Sequence, residues 1–346
     1  MLDLGLPVTQ RDIGYHIENG ISKGRRNLYA TVDCITPENC TVNPLSASKL
    51  YWAVSIPTAL YGAEVLEYND SSLGKLERFH TQTAKHIQGL PKHTTDCASL
   101  SQIGWCDISE VIAMKKLMYF WHIFNTCAGQ CKAVSIARWY ILLFKIFIVG
   151  MSVSSPIAEI IKLGTRFNLL DRMKSYIDQG IFPKKHHWKK ISKNAVSNYY
   201  INRWHLKCMM YTKIKTYRDV VNNRVPIIWY QLCKYRPDLI FKCKFMVRLL
   251  VGEAIGRYAE AKENRLCPLC GECETLIHFI KDCTELKSRR LLLKPLIDKY
   301  GMAYCPLSSL QMSRMTVYLL LTLCMRCINI EQTPFCKYHP DLVLFT

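Results

Sequence analysis

The stretch LYWAVSIPTALYGAEVLEYNDSSLGKLERFHTQTAKHIQGLP, Leu50–Pro91, decides the fold class, because it holds two helical periods divided by one polar turn. Leu50, Val54, Leu60, Tyr61 and Val65 fall on one side of a helix expected over Ser46–Leu66, with a kink at Pro57, which has no N–H for the ladder. Asn69-Asp70-Ser71-Ser72 then makes a turn rich in N-cap side chains. Leu73, Leu76, His80, Thr83 and Ile87 form the next stripe, and Gly89 followed by Pro91 stops it. Lys75, Arg78, Lys85 and His86 lie off that stripe, where they face solvent or a phosphate backbone.

Working outward, the same period continues on the C-terminal side. Asp107-Ile108-Ser109-Glu110 reads as a capping box, opening a helix with Val111, Met114, Leu117, Met118, Trp121 and Phe124 on its apolar face. Helical spacing resumes at Ile157 and breaks at Gly180-Ile181-Phe182-Pro183. On the N-terminal side, Asn19-Gly20, Gly24 and Pro37 mark loops in a polar opening segment. The fold class is therefore mainly α.

Nearly half of the 346 residues are apolar, enough for real cores in two or three domains. Met1-Leu2-Asp3-Leu4 places an acid where a signal peptide needs basic residues. The longest apolar stretch, Trp139–Val153, is interrupted by Lys145 and is too short for a bilayer span, so it reads as a buried helix. The expectation is a protein without a membrane anchor. The 17 cysteines follow no disulfide framework and indicate a reducing compartment, nucleus or cytoplasm, not secretion.

The formal charge of +19 is concentrated. From Arg172 to Leu250 there are 18 Lys and Arg against three acids, Asp178, Asp219 and Asp238. Such a field attracts polyanions, nucleic acid first and an acidic membrane face second. Its densest part is Lys184, Lys185, His186, His187, Trp188, Lys189, Lys190 and Lys193, with Arg203 and Lys207 further on. The cations neutralise phosphates, and Trp188 among them is the candidate platform for stacking a base. Trp204 and Trp229 read as core. No carboxylate stands near His186-His187 in the sequence, so the pair belongs to the basic patch.

Near the C-terminal end, CPLCGECETLIHFIKDC carries Cys267, Cys270, His278 and Cys283 in the order Cys-x2-Cys-x7-His-x4-Cys. Two thiolates across a two-residue gap, closed by a later His and Cys, make the tetrahedral donor set that zinc prefers. Four protein ligands leave no open position, so the expected Zn2+ is structural. Cys273 is an alternative ligand. Cys324, Cys327, Cys336 and His339 resemble a second set, but the apolar run Val317–Cys327 reads better as buried thiols. Catalytic signatures are missing: there is no GxxxxGK[ST], GxGxxG, HExxH or GxSxG, and the 13 Asp include no adjacent pair to hold two cations.

Leu50–Pro91 followed by QIGWCDISEVI (Gln102–Ile112) resembles the thumb region of reverse transcriptases from LINE-like, non-LTR retrotransposons. The matching features are Tyr61-Gly62-Ala63-Glu64, the helix Leu73–Gln88, the stop Gly89-Leu90-Pro91 and the step Ile103-Gly104. The cysteine segment, with Arg289-Arg290 downstream, looks like the zinc knuckle that closes such proteins, and YIDQGIFPKKHHWKK is similar to the linker between the two. The resemblance spans Asp12 to Arg290. With the residue patterns above, the expected layout is a thumb-like helical domain over 1–127, an apolar connecting segment over 128–156 and a basic helical nucleic-acid-binding region over 157–265. A CCHC zinc knuckle over 266–290 and C-terminal helices over 291–346 complete the layout. The Tyr/Phe-x-Asp-Asp strand of the family's polymerase palm is not in this sequence, nor is its endonuclease domain. The implied role is a holder of RNA or DNA without polymerase activity or a small-molecule substrate of its own, with a separate polymerase chain as its candidate partner. A helical scaffold for protein contacts is the competing expectation.

Overall fold

A computed structural model describes residues 10–32, 42–125 and 156–214, most of 217–251, and around the cysteines 266–267, 270–272 and 283–287. It is mainly helical, with no strand among the described residues. Residues 128–155, His278, Arg289, Arg290 and the segment 291–346 lie outside them, as does Trp139–Val153. Among the described residues no helix is long and apolar enough to cross a membrane. The chain forms two compact units, each drawn from several stretches. Unit 1 gathers Met1–Cys34, Lys49–Thr83 and Cys106–Leu206; unit 2 gathers Ile35–Ser48, Ala84–Trp105 and Lys207–Thr346.

In unit 1 the opening segment is not a loop. It is helix α1 (Gln10–Val32), and the glycines read as loop markers serve a close approach instead. A Cβ on Gly20 would stand 3.2 Å from the Ala59 carbonyl oxygen, and one on Gly24 would stand 3.1 Å from that of Ser55. The two glycines, one helical turn apart, let α1 lie directly on its neighbour, which outweighs their poor helix propensity.

The expected helix Ser46–Leu66 is broken into α2 (Pro44–Leu50), a π-helical turn (Tyr51–Ser55) and α3 (Ile56–Ala59). Pro57 has no N–H to give to Ala53 and its ring crowds that carbonyl. The backbone ahead of it widens, so that the Ile56 N–H reaches back to Tyr51. Gly62, at φ +72°, ends the helical path short of Leu66.

Helix α4 (Asp70–Gln88) forms as its sequence indicates. The Asn69 side-chain oxygen accepts the Ser72 N–H at 2.8 Å, an N-cap onto the first turn. At the other end Gly89 adopts φ +65°, and the N–H groups of Gly89 and Leu90 donate to the carbonyls of His86 and Lys85. That pair of bonds is a Schellman motif. Leu76, Phe79, His80, Thr83 and Ile87 are buried.

His80 sits wholly inside. Its Nε2 faces the Cys106 carbonyl at 2.9 Å, which can only accept, so Nε2 carries the proton and Nδ1 accepts the Tyr51 hydroxyl at 3.0 Å. Burial drives its pKa down to about 4 from 6.5. The unfolded chain thus takes up a proton near pH 6.5 and the folded chain only near pH 4. Stability is full above the first value and is lost as pH falls toward the second, by about 3 kcal/mol. Melting temperatures of wild type and His80→Gln, followed from pH 7 to 4, check this: wild type should fall more steeply, and parallel curves would refute it.

Helix α6 (Ile108–Asn125) starts just after Asp107 as expected, but its buried face is rotated. Ile112, Ala113, Lys116, Leu117, Phe120 and Phe124 are inside, while Met114, Met118 and Trp121 are only half-buried. Lys116 has no side-chain exposure. Its ammonium donates to the Leu66 carbonyl at 2.5 Å and pairs with Glu159, and burial pulls its pKa down. Glu159 lies on α7 (Pro156–Arg166), which leads to α8 (Leu170–Gln179) and its C-terminal Gly180 at φ +66°. The long helix α9 (Lys185–Met209) buries one residue per turn: Trp188, Ser192, Val196, Tyr200 and Trp204.

Unit 2 is built around α5 (Asp96–Gln102), α10 (Ile228–Leu232) and α11 (Ile240–Leu250). Three hydrogen bonds join its separate stretches. The Trp105 indole donates to Ser48 Oγ at 2.5 Å, the Ile227 N–H to the Gln102 carbonyl at 2.8 Å, and Arg248 Nε to the Gly89 carbonyl at 2.9 Å. Trp229 is buried there, and Trp204 is buried in unit 1, as the sequence indicates.

Candidate metal centre and basic helix face

The thiols of Cys267, Cys270 and Cys283 converge in unit 2, all within 4.8 Å of one another. The local backbone explains how. The Gly271 N–H donates to the Cys267 carbonyl at 2.8 Å and the Cys267 N–H to the Glu272 carbonyl at 2.6 Å. This two-bond turn folds Cys270 back beside Cys267, and Gly271 at φ +78° supplies the left-handed corner that a Cβ would oppose. Cys283 comes from beyond the turn and is buried with Cys267, while Cys270 is half-buried.

All three cysteines are free, and their spacing leaves room for a metal ion. Sulfurs at ~2.3 Å around a tetrahedral zinc stand about 3.8 Å apart. Cys267 and Cys283 sulfurs are 4.0 Å apart, far beyond the ~2.05 Å of an S–S bond. The three residues could hold a metal ion. His278, the fourth ligand expected from the sequence, lies outside the described residues, as does Cys273.

The basic cluster is sorted by α9. Lys184 stands at its N-terminus, where its carbonyl accepts the N–H groups of His187 and Trp188. Lys184, Lys185, Lys189, Lys190 and Lys193 are all exposed, as are His186 and His187. The helix from Lys185 to Met209 contains no acid. Lys185 leans over the Trp121 ring at 5.9 Å from its centroid, and Arg203, half-buried, lies 5.9 Å from that of Tyr200. Lys207, in the last turn, is half-buried.

Two expected contact residues are corrected. Trp188 is no stacking platform: it is 1 % exposed, its indole N–H donates to the Leu117 carbonyl at 2.8 Å, and its ring packs against Phe120 and Tyr176. It falls on the same i+4 row as Val196 and Tyr200, and packing claims the ring despite the lysines on either side. Lys85 does not face solvent. Its ammonium pairs with Asp96 at 2.6 Å and donates to the Lys92 carbonyl at 2.9 Å, where the chain turns back after Gly89 and covers it.

Lys75 and Arg78 do face a cleft of unit 1, together with Arg25 of α1. Arg25 lies in the segment whose glycines suggest loops. The amphipathic spacing of Ile17, Ile21 and Leu28, all buried on α1, is the signal that finds it. No protein-family profile, no curated protein and no solved structure matches the chain.

Proposed function

We propose that this protein binds nucleic-acid strands through their phosphates on the exposed face of α9, and that a structural zinc held by Cys267, Cys270, His278 and Cys283 fixes the segment that follows. One observation carries the reading. Five lysines, Lys184, Lys185, Lys189, Lys190 and Lys193, are exposed over the entry and first turns of a helix without a single acid. A face that serves only solubility mixes both signs, whereas one sign over this length is the footprint of a polyanion. With Trp188 buried, the contacts are electrostatic and do not select a base sequence.

The zinc is read from the donor set: three soft cysteine sulfurs within 4.8 Å of one another, with an imidazole expected as the fourth ligand, suit zinc, and a closed site supplies folding energy and no hydrolysis. The similarity of Leu50–Pro91 and the cysteine segment to the C-terminal part of LINE-like reverse transcriptases agrees with a strand-holding role without polymerase chemistry in this chain. A separate polymerase chain is the partner that this similarity suggests. The test is the affinity of the full chain for a single-stranded oligonucleotide, compared with a variant carrying Glu at Lys184, Lys185, Lys189 and Lys190. The variant should lose binding while keeping its fold and its zinc. Equal affinity would overturn the assignment to α9.

A further inference from the structure

A cleft of about 350 Å³ opens within unit 1 between α1 and α4, lined among others by Glu18, Ser22, Arg25, Lys75, Arg78 and Gln82. Three cations and one acid face it. Glu18 pairs with Lys75, which leaves the two arginines as uncompensated charge. Both are held by neutral groups. The Arg25 guanidinium lies 5.8 Å from the centroid of the Phe79 ring, and Arg78 Nε donates to the Gly74 carbonyl at 3.2 Å. Neither forms an ion pair with a described residue. Each therefore keeps its full charge while its stem is anchored, with the terminal N–H groups of its fork available to a ligand. Ser22 and Gln82 add neutral donors at the rim.

We propose that this cleft binds a phosphate monoester as its dianion. Arg25 and Arg78 grip the phosphate oxygens, and Lys75 exchanges its Glu18 partner for them. Charge matching selects the monoester: the cleft carries a net +2, and a monoester carries close to two negative charges at neutral pH, where an internal phosphodiester carries one. The cleft has room for a group the size of a nucleoside beside the phosphate. The monoester can come from a free mononucleotide or from the phosphorylated end of a nucleic-acid strand. This inference stands on α1 and α4 and does not rest on the role assigned to α9.

The experiment is calorimetric titration of the full chain with inorganic phosphate, adenosine 5′-monophosphate, adenosine, and one short oligonucleotide ending in 5′-phosphate or 5′-hydroxyl. Phosphate and the mononucleotide should bind and adenosine should not. Arg25→Gln and Arg78→Gln should each weaken the mononucleotide by about tenfold or more, with Arg78→Lys in between because it keeps charge and loses the fork. Glu at Lys184, Lys185, Lys189 and Lys190 should leave the mononucleotide affinity unchanged while abolishing binding of the 5′-hydroxyl strand, so either assignment can fail without the other. Mononucleotide binding identifies a free-nucleotide site. With Glu at those four lysines, binding of the strand with a 5′-phosphate but not of the strand with a 5′-hydroxyl, sensitive to the arginines, identifies a strand-end site. Adenosine binding as well as its monophosphate, arginine variants with unaltered affinity, or, with the four lysines replaced, no binding of phosphate, the mononucleotide or the 5′-phosphate strand would each overturn the proposal. Unchanged melting temperatures of the variants establish that they are folded.

Discussion

Replacing Cys267 with Ser is expected to strip the protein of one bound zinc and to unfold the segment from Cys267 to Cys283. The turn at Gly271 is held by two backbone hydrogen bonds, and Cys283 joins it by proximity of sulfur to sulfur. Such a short segment has too little apolar surface to order itself. Metal ligation contributes on the order of 10–16 kcal/mol to the folding of isolated zinc fingers, more than any other single effect available here. Serine offers a hydroxyl that does not ionise near neutral pH, so one of the thiolate bonds is lost outright. His278→Ala should act in the same way if the imidazole completes the set. Metal content of the purified chain by plasma mass spectrometry, together with limited proteolysis, checks both variants. Wild type without zinc, or a serine variant that retains it, ends the assignment.

Affinity for a single-stranded oligonucleotide should fall by about 10³–10⁵ between 50 and 200 mM salt if six to ten phosphates are contacted, because each contact releases condensed counterions. The size of that response separates the α9 face from a base-reading site, where hydrogen bonds and stacking are far less sensitive to salt. Glu at Lys184, Lys185, Lys189 and Lys190 removes four contacts and should flatten the slope of log affinity against log salt by about 3. These side chains are exposed at the start of a helix whose buried row lies elsewhere, so replacing them leaves the core untouched. A wild-type slope near zero would leave the lysines as ordinary solvated charge.

How much of this was legible before the structure depends on whether the deciding forces are local. Asn69 and Gly89 delimit α4 in the sequence and do so in the molecule, because each completes hydrogen bonds within a few residues of itself. The pairing of Cys267 with Cys270 is equally local, set by the turn at Gly271. What failed was decided by partners distant in sequence. Gly20 and Gly24 look like helix breakers until Ser55 and Ala59 are seen against them. Asp107 marked where α6 begins but could not tell which side faces inward. The Leu66 carbonyl and Glu159 give Lys116 a destination inside, and the buried face turns accordingly. The charged neighbours of Trp188 in sequence suggest exposure, whereas the Leu117 carbonyl and the Phe120 ring hold it inside.

Lys116 also gives the protein a built-in clock. An amine-acylating reagent will consume Lys184, Lys189, Lys190 and Lys193 at once, since their ammonium groups stand in water. It reaches Lys116 only when unit 1 opens, because that amine is sealed between a carbonyl and a carboxylate. The fraction of chains tagged at this one lysine after a timed exposure therefore counts openings of unit 1, without any probe having to be added to the molecule.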